Sequence, residues 1–212
     1  IASNGFSLRY YNKQKIGEVD FVIQKGSEIL PIEIKSGKSY KDILYHYYQG
    51  TKIRNKDTSD INIRVLLSAS SRGGSIIPSG GSATLVYEGG KQELKDGEKT
   101  EVKPGMRFIP KDPNTVFVVD YKYDGFNTYR GIIETKGTQG GGILTINHIY
   151  MEDYLRGVVP GEMSSSWPEE ALKAQAIAAR NYAYKNIGKN QEYDICDTPA
   201  CQVYLGYNHE AT

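Results

Sequence analysis

Residues Met151–Tyr184 read MEDYLRGVVPGEMSSSWPEEALKAQAIAARNYAY, and here a strand-rich chain becomes helical. Ser166-Trp167-Pro168-Glu169 has the form of a capping box. In it the Ser166 hydroxyl accepts an N–H of the first turn, and Glu169 reaches back to the Ser166 N–H. Pro168 fits the first turn, where its missing N–H is not needed. From Glu169 to Asn186 there is no Gly or Pro and Ala is abundant, which predicts one helix stopped by Gly188. Leu172, Ala176, Ala179 and Ala183 form its expected apolar stripe of small residues. Lys173 and Arg180, seven residues apart with Ile177 between them, project from one face. The same spacing is also what an ordinary solvated helix face shows. Upstream, Met151–Arg156 reads as a short helix ending at Gly157, which leaves Glu162 in a loop.

Working outward toward the N-terminus, residues 61–149 are β-rich. Ile63–Leu67, Ala83–Tyr87 and Thr115–Tyr121 are strand candidates, with Gly89-Gly90 turning the second into a hairpin. Lys103-Pro104-Gly105 and Pro110–Asn114 are turn signals. Tyr129–Glu134 and Gly142–Ile149 bracket the glycine run Gly140–Gly142 as a second hairpin. Strands followed by helices predict an α+β fold.

Glu162 stands among Val158, Val159, Pro160, Met163 and Trp167. An apolar wall raises a carboxyl pKa, as a general acid requires, whereas nearby Lys173 and Arg180 would oppose the rise. A turn carboxylate in water is the alternative. The order IRVLLS (Ile63–Ser68, in part), YRGIIE (Tyr129–Glu134), LTINHIYMEDYLRGVVPGEM (Leu144–Met163), EALKAQAIAARNYA (Glu170–Ala183) and YDICDTPACQVYLGY (Tyr193–Tyr207) resembles stage II sporulation protein D, a peptidoglycan lytic transglycosylase, and its relatives the amidase enhancers. The resemblance covers about Ile61 to Thr212, and it implies that the family's C-terminal part is missing. It implies that Glu162 is catalytic, that Lys173 and Arg180 serve the substrate, and that peptidoglycan glycan strands and a cell-wall amidase are the partners. It also implies an extracytoplasmic, cell-wall or membrane-anchored full-length protein, although neither a signal peptide nor a transmembrane run is visible here.

A single glutamate suits this chemistry. Hydrolases pair two carboxylates, but the C6 hydroxyl of muramic acid can attack its own C1, so one group serves as acid and then base. The lactyl carboxylate of a muramic acid stripped of peptide is a natural ligand for Arg180 and Lys173. Within the loop 193–207, Gln202, Tyr204 and Tyr207 are candidates to line a glycan groove, with solvated loop residues as the alternative. Cys196 and Cys201, the only cysteines, leave zinc, a local disulfide and free thiols open. Two cysteines do not close a zinc site. Some family members add histidines, one just before the second cysteine, where this chain has Ala200. His46, His148 and His209 match no ligand spacing, so no cofactor is expected.

The first fifty residues are of another kind. EVDFVIQKGSEILPIEIKSGKS at Glu18–Ser39 resembles the PD-(D/E)XK nuclease-like tail of certain ATPases. The resemblance implies Mg²⁺ at Asp20 and Glu33 with Lys35 steadying a phosphate or water, although the segment is too short for that whole fold. Ser39–Asp60 reads as a linker, with 51–60 as the junction. A cytoplasmic tail joined to a cell-wall enzyme reads as an accidental fusion, which an uninterrupted reading frame across Gly50–Asp60 would refute. The chain begins with Ile1, as a piece of a longer product does. Its formal net charge of +1 argues against bulk electrostatic binding of nucleic acid by the main domain. Seventeen tyrosines against five phenylalanines suit either sugar platforms or a biased base composition.

Overall fold

The computed structural model describes residues 6–13, 17–25, 28–32, 60–67, 73–122 and 127–210. The chain divides into two units, Ile1–Asp57 and Thr58–Thr212. In the first, β1 (Phe6–Lys13), β2 (Gly17–Lys25) and β3 (Glu28–Ile32) form an antiparallel sheet in chain order. Asp20 lies on β2, whereas Glu33 and Lys35 fall outside the described residues.

Among its described residues the second unit carries two sheets and two α-helices, an α+β arrangement. Its strands are β4 (Asn62–Leu67), β5 (Ser75–Ser79), β6 (Ala83–Tyr87), β7 (Gly90–Leu94), β8 (Thr100–Glu101), β9 (Arg107–Pro110), β10 (Val116–Val119), β11 (Thr128–Tyr129), β12 (Ile132–Gly137), β13 (Ile143–Tyr150) and β14 (Ile195–Cys196). The seven-stranded sheet runs β14-β4-β13-β12-β9-β6-β7 and the four-stranded sheet β11-β10-β5-β8. Among the described strands of both, only β14 on β4 is a parallel pair. Alternation on β4 buries Ile63, Val65 and Leu67 on one face. Phe108 of β9 meets Phe117 of β10 edge-on at 6.2 Å between ring centroids, which joins the two sheets in one core.

Both expected hairpins form, β6–β7 and β12–β13. The expected strand Tyr129–Glu134, however, is two strands in different sheets. Gly131 breaks it with φ +78, and a Cβ there would collide with the His148 carbonyl oxygen. Strand β5 escapes sequence reading because Pro78 stands inside it, a residue that argues against a strand.

The helices are α1 (Met151–Glu162) and α2 (Glu169–Asn186). Helix α1 runs well past the predicted stop at Gly157. It buries Met151, Tyr154, Leu155 and Val158 on one face at helical spacing. The capping box does not form either. Pro168 is the N-cap, and its carbonyl accepts the N–H groups of Ala171 and Leu172 while Ser166 pairs with Ser164. The buried stripe of α2 is Ala171, Gln175, Ala179 and Ala183, so its N-terminal half lies one residue earlier than expected. Among the described residues no helix is long and apolar enough to cross a membrane.

Candidate active site

Glu162 is the last residue of α1, not a loop residue. Its position follows from two glycines that let another segment lie against the helix. A Cβ at Gly157 would come 2.6 Å from the Tyr204 ring, and one at Gly161 would come 2.6 Å from the Val203 carbonyl oxygen. The segment following the cysteine loop therefore packs directly on the helix backbone, and the Leu205 N–H donates to the Gly157 carbonyl at 3.0 Å. One residue past Gly161, the Val203 N–H donates to Glu162 Oε1 at 2.8 Å and fixes the direction of the carboxylate. Glu162 is half-buried, with Val158 and Met163 buried beside it in sequence, while Trp167 is 41% exposed and supplies no wall.

The two cations are engaged by other carboxylates. Lys173 reaches Glu169 at 2.8 Å and Glu170 at 2.9 Å on the exposed side of α2. Those hydrogen bonds hold its ammonium pKa above the ordinary lysine value. Arg180 grips Glu152 with Nε at 3.0 Å and Nη2 at 2.6 Å, tying α2 to the first turn of α1. Glu152 and Glu162 are ten residues apart on α1. At a rise of about 1.5 Å per residue that is about 15 Å along the axis. The structure therefore turns the Arg180 fork toward the opposite end of α1 from Glu162.

Two groove candidates turn out to be core. Tyr204 is 2% exposed, donates from its hydroxyl to Asn147 Oδ1 at 3.1 Å, and packs on the rings of Tyr129 and Tyr154. Burial pushes both the Tyr154 and Tyr204 phenols well up. Gln202 is buried as well, and its Oε1 accepts the Tyr154 hydroxyl at 3.2 Å. Neither is placed to line a surface groove. Tyr207 is 38% exposed beneath the Arg130 guanidinium, which lies 4.3 Å from the ring centroid and pairs with Glu210. Cys196 and Cys201 are joined in a disulfide, which decides among the three states the sequence left open. The sulfurs are then not thiolates for a metal, and no group of three His, Cys, Asp or Glu side chains is arranged for one among the described residues.

Sequence reasoning did not find Glu152, Val203 or the ion pairs that brace the loop. Asp194 accepts from Arg64 Nη2 at 2.8 Å and from the Gly188 N–H at 2.8 Å. Lys122 and Asp197 form a fully buried pair at 3.2 Å. These partners lie far apart in sequence and carry no periodic signal. A donor such as the Val203 N–H has no residue type to give it away.

The family model for stage II sporulation protein matches residues 139–212, which hold both helices and the cysteine loop, while a domain of unknown function, DUF4143, matches residues 2–76. An uncharacterised protein of Brachyspira hyodysenteriae is 49% identical over 67 residues, covering 30% of this chain and 18% of the relative. The amidase enhancer of Bacillus subtilis is 51% identical over 54 residues, 26% of this chain and 7% of the relative. Stage II sporulation protein D of the same organism is 36% identical over 66 residues, 28% and 19% respectively. The chain thus spans less than a fifth of each of these relatives. No solved structure matches it. Residues 139–212 are thus the part of the chain that is similar to the stage II sporulation protein family.

Proposed function

We propose that the full-length protein serves sporulation and cell-wall remodelling as a lytic transglycosylase acting on peptidoglycan glycan, a reading supported by the stage II sporulation protein match and the likeness to an amidase enhancer. The observation that carries this reading is Glu162, a half-buried carboxylate oriented by the Val203 N–H within the matched segment. Protonated, Glu162 gives its proton to the glycosidic oxygen as the bond to C1 of muramic acid breaks. The C6 hydroxyl then attacks C1, its proton returns to Glu162, and a 1,6-anhydro ring closes. No water enters and no second carboxylate is required. Lys173 and Arg180, each paired with a carboxylate of its own, serve lactyl carboxylates of denuded strands away from the bond being cut, and such a substrate calls for an extracytoplasmic protein.

A second reading is favoured by the 51% identity to the amidase enhancer: a glycan-binding partner of a cell-wall amidase that does not itself cut. Full-length protein incubated with denuded glycan strands separates the two. Mass spectrometry should show 1,6-anhydromuramyl ends, and Glu162→Gln should abolish them. Absence of anhydro ends with both proteins favours the enhancer.

A further inference from the structure

The Arg180–Glu152 pair is bidentate yet open to water, with side chains 29% and 43% exposed. Its surroundings are unusual. On α2 the neighbours of Arg180 one turn either side on the same face are Ile177 and Tyr184, which are 57% and 45% exposed. Single exposed apolar side chains are ordinary. Here two of the seven large exposed ones among the described residues, Ile177 and Tyr184, share the face of α2 that carries Arg180. A planar cation flanked by accessible aromatic and aliphatic surface suits a sugar ring bearing a carboxylate: the ring packs on tyrosine, and the carboxylate takes the two parallel N–H donors.

We propose that Glu152 holds the place of a ligand carboxylate on Arg180. The Arg180 fork is a subsite for a carboxylate-bearing sugar, and Glu152 is the built-in competitor that sets its affinity. The subsite lies about 15 Å along α1 from Glu162, so it reads a sugar away from the bond being cut. An incoming carboxylate displaces Glu152 into water, and an exposed ion pair is weak enough for that exchange. The inference rests on the glycan-binding part of the reading above and not on bond cleavage.

The test is a titration of full-length protein with N-acetylmuramic acid and with N-acetylglucosamine, which lacks the carboxylate. Glu152→Gln should tighten N-acetylmuramic acid by roughly two- to five-fold and leave N-acetylglucosamine unchanged. Arg180→Lys should lose the preference between the two sugars. Unchanged or weaker binding of N-acetylmuramic acid by folded Glu152→Gln would make the pair a mere helix staple and overturn the proposal. A measurement on the unaltered protein stands beside these: N-acetylmuramic acid should shift the Arg180 Nε resonance and N-acetylglucosamine should not. An unmoved resonance at saturation would also overturn it. Anhydro products formed despite these failures would leave the cleavage reading intact, and tightened binding without anhydro products would leave only this inference standing.

Discussion

Glu162 owes its orientation to a glycine next to it. Gly161 was legible as a turn residue, yet it lies inside α1, where its missing Cβ lets the Val203 carbonyl approach. Gly161→Ala should push that backbone away and loosen the Val203 N–H to Glu162 bond. A loss of about 1–3 kcal/mol by chemical denaturation is expected from overpacking, with the yield of anhydro ends falling further than the stability loss explains. Tyr204→Phe probes a different bond. It leaves the buried Asn147 Oδ1 without its phenol donor, at a cost of about 1–2 kcal/mol, and should not alter product chemistry. Gly157 illustrates the same limit of reading. A glycine after an amphipathic turn looks like a helix stop, but here it serves close contact with Tyr204.

At the scale of elements, the turn that follows α2 is linked to β4 by the Asp194 carboxylate. Burial pushes the Asp194 pKa up, but the hydrogen bonds from Arg64 and from the Gly188 and Arg64 N–H groups outweigh it and hold it below the ordinary value. A depressed folded pKa means that the unfolded chain takes up the proton first. Its contribution is therefore complete above about pH 4 and fades as pH falls through the folded value. Asp194→Asn should flatten the stability profile below about pH 4. At neutral pH it should cost on the order of 2 kcal/mol, because Arg64 is partly exposed. Urea midpoints across pH measure both effects. The Cys196–Cys201 bridge spans five residues, a short loop whose closure is worth about 2 kcal/mol in the chain-entropy account. Reduction should lower the melting temperature by roughly 4–8 °C. The body of α2, Glu169–Asn186, was readable because it lacks Gly and Pro. Its cap was not, because Pro168 fixes an extended backbone that puts its own carbonyl where Ser166 was expected to act.

At the scale of the molecule, the buried cluster runs from Ile63 to Tyr204 and draws on both sheets and both helices. All of it belongs to the second unit. Residues 58–212 expressed without 1–57 should therefore melt cooperatively, with a midpoint within a few degrees of the full chain, as followed by circular dichroism. Loss of the cooperative transition would show that the first unit contributes to that core. The strand order also makes the site depend on the whole second unit. Strand β14, just before the disulfide loop, docks in parallel on β4 from the opposite end of the unit's sequence.

The sequence by itself determined what is local: the run that becomes α2, the hairpins at Gly89-Gly90 and around Gly140–Gly142, and an ordered series of short motifs, of which residues 139–212 match the stage II sporulation protein model. Tertiary structure alone decided that Tyr129 and Glu134 part company at Gly131, that Tyr204 is core, that Glu162 meets Val203, and that Arg180 meets Glu152. The reason is physical. Periodicity and turn chemistry record which face of an element is apolar and where the chain bends. The partner of a hydrogen-bonding group is set by which distant backbones the packed core brings within reach.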